Sequence, residues 1–194
     1  MAKLVVSILS SLDGYSAGPG GRLEGLPFGP AFYAHNLDLM RNADTYLFGA
    51  TTFPMFEAYW PYVDRGPDSE PVAREIAERI NAGRKLVVSD SLVVSGSSPW
   101  AKTEVVRRAF AHSRISELKA KPGKDLLIFG SHILAHDLLA KGLVDEFYLL
   151  IGNVVLGEGI RTFEPGPSAP FKLLGQRQLP GSDIAVLRYD CRPA

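Results

Sequence analysis

The sequence predicts an α/β fold: a mixed, mostly parallel sheet flanked by helices and finished by a C-terminal antiparallel hairpin. Two observations carry this prediction. As far as Gly142, short apolar runs typical of buried strands alternate with helical patterns. From Glu146 onward, strand candidates follow one another with turns but no convincing helix between them. We expect residues 1–194 to form a single domain.

The predicted strands are short apolar runs bounded by turn-forming or hydroxyl residues. Those of the parallel part are expected at Leu4–Leu9, Tyr46–Gly49, Lys85–Ser89 and Leu126–Phe129. The consecutive strands are expected at Glu146–Leu156, Phe171–Leu179 and Ile184–Asp190, separated by turn signals at Gly157–Gly159 and Pro180–Asp183. Consecutive strands joined by turns predict the antiparallel hairpin.

The first connection opens with a long loop, since Gly18–Pro30 holds five glycines and three prolines. Apolar residues then recur at helical spacing from Phe32 to Ala43, with Pro30 in the first turn. Further helices are expected from Thr51 towards Tyr59, over Val72–Asn81, in short form at Ile115–Ala120, and over His132–Lys141.

Composition excludes several classes of protein. The 21 basic and 21 acidic side chains cancel, so no overall charge would attract nucleic acid or a membrane surface. The one cysteine, Cys191, excludes an internal disulfide and a cysteine-cluster metal site. The apolar stretch at the N-terminus is short and interrupted by Ser7, unlike a signal peptide. We therefore expect a cytoplasmic protein.

Three segments share a pattern that suits a phosphorylated ligand: an apolar strand, a glycine or hydroxyl residue, and a helix start. They are YLFGATTF (Tyr46–Phe53), KLVVSDS (Lys85–Ser91) and LLIFGSHIL (Leu126–Leu134). Unpaired N–H groups and the helix dipole attract anions at such junctions, which share the carboxyl edge of a parallel sheet. Ordinary turns and N-caps give the same pattern and remain the alternative.

Six segments occur in order along nearly the whole chain: SLDGYSAG (Ser11–Gly18), GATTF (Gly49–Phe53), VVS (Val87–Ser89), IFGS (Ile128–Ser131), GLVDEF (Gly142–Phe147) and VVLGEG (Val154–Gly159). In this order and at this spacing they resemble the dihydrofolate-reductase-like family, which includes the riboflavin-biosynthesis reductase domain. The resemblance implies a dihydrofolate-reductase-like fold, bound NADPH, and hydride transfer to a small unsaturated heterocycle or carbonyl compound. It also implies a homodimer.

The resemblance places the phosphates of the cofactor at Gly49 and Thr52, and we include Thr51 at the same helix start. It places Ser89 against the adenosine ribose and its 2′-phosphate. Reductases of this fold often carry an arginine after the glycine matched by Gly49, whereas this chain has Ala50. Arginine pairs with phosphate through two hydrogen bonds, which Ala50 cannot form. NADH therefore remains an alternative cofactor to NADPH.

The nicotinamide half of the cofactor is assigned in the same way. Gly130 and Ser131 would lie under the pyrophosphate and nicotinamide, and the loop around Asp13 and Gly14 would close over the ring. Gly157, in the turn that follows the predicted strand Glu146–Leu156, completes the expected cofactor-binding residues.

Asp13 is the candidate proton donor, because a buried carboxyl with a raised pKa could protonate the reduced C=N or C=O group. The alternatives are a turn residue in an Asp-Gly pair, and an ordered water as the donor. Tyr59 and Trp60 are candidates for the wall of a substrate pocket, or else belong to the core. His132 and His136 have metal-ligand spacing, but no third ligand is evident and we expect no metal site.

The sequence thus predicts an NAD(P)H-dependent reductase acting on a small molecule. Riboflavin-type members usually have lysine four residues before the serine matched by Ser11, and Ser7 in its place argues against a phosphoribosyl pyrimidine substrate. A true riboflavin-precursor or dihydrofolate reductase remains an alternative. So does a non-catalytic dinucleotide-binding or redox-sensing protein, because one fold can serve many functions.

Overall fold

The computed structural model describes residues 2–64, 66, 69–165 and 170–192. Its strands are β1 (Leu4–Ser10), β2 (Tyr15–Ala17), β3 (Ala43–Gly49), β4 (Arg84–Val88), β5 (Glu104–Val106), β6 (Asp125–Phe129), β7 (Glu146–Ile151), β8 (Ile160–Arg161), β9 (Lys172–Gln178) and β10 (Ala185–Asp190). Its helices are α1 (Pro30–Arg41), α2 (Thr52–Glu57), α3 (Pro71–Ala82), α4 (Arg108–Ala120) and α5 (His132–Ala140), with 3₁₀ turns at Pro19–Gly21 and Trp60–Tyr62.

Eight strands form one sheet in the order β5-β4-β3-β6-β1-β7-β10-β9. The first six strands in this order, from β5 to β7, run parallel to their neighbours. By contrast, β10 pairs antiparallel with β7 and with β9. The predicted mixed, mostly parallel sheet with a C-terminal antiparallel hairpin is therefore confirmed. A second sheet, which the sequence did not reveal, pairs β2 with β8 in antiparallel fashion.

Helices cover both faces of the parallel part. Alternate residues of β1 point to opposite sides: Val6 packs with α4 and α5, while Val5 packs with α1 and α3. The burial pattern of β1 is continuous because both of its faces are covered. A third apolar cluster lies on β7 and β10 beneath the segment that leads into α1.

Several elements differ from the sequence prediction; β3, for example, begins at Ala43 instead of Tyr46. The strand β5 was missed because it is three residues long, yet it pairs in parallel with β4. Helix α4 begins at Arg108 instead of Ile115. Strand β7 ends at Ile151 instead of Leu156. The next residue, Gly152, packs against Pro27 so closely that an added Cβ would lie 2.7 Å from the proline ring.

The order of connections leaves a crevice at the carboxyl edge of the sheet. The helix after β3 lies on one face, and the helix after the adjacent strand β6 lies on the other. Neighbouring strands whose helices diverge in this way open the space in which α/β proteins bind ligands. Within the described ranges, no helix is long and apolar enough to cross a membrane.

A close approach at the end of α3 gives a test of the packing. A Cβ on Gly83 would lie 2.4 Å from the Tyr46 ring, which is buried. We expect Gly83→Ala to lower the free energy of unfolding by about 1–3 kcal/mol, as overpacking does. Gly175→Ala in β9 is the control, since its Cβ would meet no atom within 4 Å. Urea unfolding of both variants checks this, and equal midpoints would contradict it.

Candidate functional site

The crevice is built around the tip of β6, which is tied to both neighbouring strands. The amide of Gly49, at the end of β3, donates to Ser131 Oγ at 3.1 Å. The amide of Gly130 donates to the carbonyl oxygen of Ser7 in β1 at 3.2 Å. The structure therefore brings together Gly49, Gly130 and Ser131, which the sequence could only place on separate junctions.

The Gly130–Ser131 turn has an unusual backbone. Both residues lie in the left-handed region, with φ of 58° and 47°, and Ser131 is the one non-glycine residue of the described ranges with positive φ. A serine in this conformation costs about 1–3 kcal/mol. The bond from Gly49 offsets part of this cost and fixes the turn.

The start of α5 faces the crevice without a side-chain cap. Ser131 occupies the N-cap but makes no capping bond, because its hydroxyl reaches across to β3. The first amides of a helix then remain available to an anion. A Cβ built on Gly130 meets no heavy atom within 4 Å, so the space over this glycine is open. These features fit the pyrophosphate of a dinucleotide.

The second junction, from β3 into α2, adds two hydroxyl groups. Thr51 is exposed at the N-cap of α2 and makes no side-chain capping bond, and Thr52 is half-buried in the first turn. Hydroxyl groups beside a glycine suit phosphate oxygens. The two threonines thus lie on the β3 side of the same crevice, as the sequence predicted.

The third junction, after β4, is shaped by Ser89 itself. Its side chain is buried, and Oγ accepts hydrogen bonds from the amides of Ser91 at 3.3 Å and Leu92 at 3.0 Å. The hydroxyl thus fixes a turn, and Asp90 is the next residue to reach solvent. Beside it begins α4, a junction that sequence reasoning missed because β5 was not recognised.

The exposure and the pKa of Asp13 differ from the expectation. Its carboxylate accepts bonds from Ser11 Oγ at 2.6 Å, from the Leu156 amide at 3.1 Å and from the Gly157 amide at 2.7 Å. The Ser11 hydroxyl, followed by these amides, lowers the pKa of Asp13 to about 2. The expectation of a buried carboxyl with a raised pKa is wrong, since Asp13 is exposed and stabilised in its ionised form.

Asp13 instead connects two loops through hydrogen bonds, and these loops form one wall of the crevice on its β1 side. The loop after β1 is further joined to the following segments by bonds from Leu12 N to the Val154 carbonyl and from Thr162 N to the Gly14 carbonyl, both 2.8 Å. Gly14 and Gly157 have φ of 87° and 77°, which allows both tight turns. Asp13, Gly14 and Gly157 therefore lie close together.

The two aromatic candidates separate in the structure. Trp60 is buried in the core against Phe56, so only Tyr59 is exposed. Tyr33 on α1 was missed by sequence reasoning, although its phenol lies near that of Tyr59. Burial, followed by the nearby Tyr59, raises the pKa of Tyr33, which stays protonated at neutral pH.

The histidine pair His132 and His136 contacts one carboxylate residue. His132 Nε2 lies 3.7 Å from a carboxylate oxygen of Glu164, whose amide donates to the His136 ring. Burial lowers the pKa of both histidines, so they are neutral at pH 7. Among the described residues, no group of three or more histidine, cysteine or acidic side chains is placed to hold a metal ion.

A cavity of about 350 Å³ lies at the opposite, amino-terminal edge of the sheet. Glu146 fills its wall, with Lys3 Nζ at 2.6 Å from one carboxylate oxygen and Arg188 at 2.9 Å from the other. Because both cations pair with the Glu146 carboxylate, we regard this cluster as structural. The crevice at the carboxyl edge is the better candidate site.

Comparison with known proteins agrees with this fold. The model of the RibD C-terminal domain family, a reductase domain of riboflavin biosynthesis, matches residues 2–182. The uncharacterized protein YyaP of Bacillus subtilis is 30% identical over 158 residues, which cover 81% of this chain and 78% of that protein.

Solved structures share the fold, among them the following two. A putative riboflavin biosynthesis protein from Shewanella has a TM-score of 0.69 at 23% identity, with 98% of each chain covered. Dihydrofolate reductase from Enterococcus faecalis, solved with NADP(H), has a TM-score of 0.60 at 12% identity, covering 97% of this chain and 95% of that one. The suspected dihydrofolate-reductase-like fold is thereby confirmed, and the chain belongs to the RibD C-terminal domain family.

Proposed function

We propose that this protein is a reductase that binds a reduced nicotinamide dinucleotide in the crevice between β3, β6 and β1. It would transfer a hydride to a small unsaturated heterocycle or carbonyl compound. The Gly130–Ser131 turn carries this proposal, because its strained backbone opens an uncapped helix start at the point where the helices diverge. Strain of this kind clusters at functional sites.

The chain's own residues would bind and orient the reactants. When bound, the dinucleotide supplies the hydride. The amides at the start of α5 and the hydroxyls of Thr51 and Thr52 would hold its pyrophosphate. The loop tied by Asp13 would cover the ring on the β1 side and exclude water.

The proton that completes the reduction needs another source than Asp13, whose pKa of about 2 keeps it ionised at neutral pH. We propose that water delivers this proton. The protonated phenol of Tyr33, together with Tyr59, would donate hydrogen bonds to the substrate and orient it.

A riboflavin-precursor substrate receives less support. Ser7 stands where riboflavin-type members usually carry lysine, and its buried hydroxyl donates to Asn36 Oδ1 at 2.8 Å. It therefore presents no cation to a substrate phosphate. We propose a substrate without a phosphoribosyl group.

A non-catalytic dinucleotide-binding protein is the second candidate. The observation that favours it is the lowered pKa of Asp13, because this residue was the candidate proton donor. Titration with NADH and NADPH, followed by turnover assays on a panel of cyclic imines and carbonyl compounds, separates the two. Binding with oxidation of the cofactor supports the reductase, and binding without turnover supports the second candidate.

We also propose a homodimer, as the resemblance implied. All residues of the edge strand β9 are exposed, including Leu173 and Leu174. An exposed apolar edge strand invites pairing with another chain, here a second copy. Light scattering on the purified protein measures the mass, and a monomer at all concentrations would refute this.

A negative charge introduced at the tip of β6 tests the site directly. Ser131→Asp places a carboxylate where the pyrophosphate would lie, and aspartate tolerates the left-handed backbone. We expect affinity for both dinucleotides to fall at least about tenfold, or about 1.4 kcal/mol. Ser116→Asp on the exposed side of α4 is the control and should bind like the wild type. Unchanged affinity in Ser131→Asp would mean that the site lies elsewhere.

The hydrogen bonds that Asp13 accepts from the neighbouring loop predict that the free energy of unfolding depends on pH in the acid range. Its pKa is lowered from 3.8 to about 2, so its contribution is complete above pH 3.8 and is lost as the pH falls through about 2. Asp13→Asn should therefore be less stable than the wild type at neutral pH, with the difference shrinking between pH 4 and pH 2. Denaturant unfolding at several pH values measures this, and a constant difference would show that Asp13 is not held in ionised form.

A further inference from the structure

We propose that Asp90, at the end of β4, makes NADH the preferred cofactor over NADPH. The inference rests on the proposed function, because it requires a dinucleotide in the crevice. It concerns the adenosine half of that ligand, for which the sequence alone left both cofactors open.

The walls of the crevice decide in which direction the adenosine half runs. On the β1 side, the loop tied by Asp13 to Leu156 and Gly157 closes the edge. On the other side, β4 is followed by the tight turn that Ser89 fixes, and Val93 beyond it is 87% exposed. An extended ligand anchored at β6 can therefore pass outward over β3 and β4.

The distance suits a ribose at the end of β4. Neighbouring strands lie about 4.8 Å apart, so the tip of β4 is about 10 Å from the tip of β6. The adenosine ribose is bonded directly to the pyrophosphate through its 5′-oxygen. With the pyrophosphate between β6 and β3, the 2′-oxygen of this ribose would come to the β4 tip, where Asp90 stands.

The carboxylate of Asp90 is already fixed in place. It accepts a hydrogen bond from the Arg108 amide at 3.0 Å, and its second oxygen lies 3.6 Å from Arg108 Nε. The amide at the start of α4 and the guanidinium of Arg108 are therefore engaged by an acidic group of the chain itself. The side chain of Asp90 is 58% exposed, so it can also contact a ligand.

This arrangement discriminates between the two cofactors by charge. A carboxylate at the end of a strand accepts hydrogen bonds from the ribose hydroxyls of NADH, whereas it repels the 2′-phosphate of NADPH. A 2′-phosphate would need a cation at this point, and the guanidinium of Arg108 already lies against Asp90. Removal of Asp90 would leave Arg108 without this partner and favour NADPH, which gives the inference a definite sign.

The experiment measures equilibrium affinity for NADH and NADPH by calorimetry. We expect the wild type to bind NADH at least about tenfold tighter, and Asp90→Ser to shift the ratio of the two dissociation constants at least tenfold towards NADPH. Serine still accepts a capping bond from the α4 amide, which protects the fold. Asp90→Asn, similar in shape, should shift the ratio in the same direction.

The matched control is Asp38→Ser, which removes another exposed aspartate paired with an arginine, Arg41 at 2.8 Å on α1. Its ratio should equal that of the wild type. A wild-type preference for NADPH, or an unchanged ratio in both Asp90 variants, would overturn the inference while leaving the proposed function intact. If the folded wild type binds neither dinucleotide, the proposed function fails as well.

Discussion

The bond between the Gly49 amide and Ser131 Oγ is the contact on which the candidate site depends. It joins two adjacent parallel strands whose following helices lie on opposite faces of the sheet. Because the hydroxyl is used across the crevice, it cannot cap its own helix, and the first amides of α5 face open space. One hydrogen bond thus holds the strained turn and leaves the helix start free for an anion.

Acidic side chains shape the two ends of this crevice in a similar way. Asp13 accepts bonds from backbone amides of a neighbouring loop, and Asp90 accepts one from the start of α4. Both carboxylates hold backbone amides in place through these hydrogen bonds. When Asp13 is ionised, its negative charge strengthens the hydrogen bonds that it accepts. In the proposed reaction Asp13 would not supply the proton, and the phenol of Tyr33, close to Tyr59, is a protonated group.

Membership of the RibD C-terminal domain family fixes the architecture, whereas the chain's own residues distinguish it within that family. Ser7 is buried against Asn36, and Ala50 offers no guanidinium to a phosphate. Asp90 adds a negative charge at the strand end where the adenosine ribose would lie. Together, the three residues would suit the proposed ligand and substrate, which carry fewer phosphate groups than NADPH and the riboflavin precursor.

The sequence by itself determined the type and order of most elements, because apolar periodicity and the glycine and proline breaks are local signals. It also placed Gly49, Gly130 and Ser131 at junctions that follow clear strands. Only the tertiary structure decided that Asp13 is held as an ion, that Trp60 is core, and that Arg108 meets Asp90. Protonation, burial and pairing depend on partners distant in the chain, such as Leu156 for Asp13, and β5 forms only because β4 lies beside it.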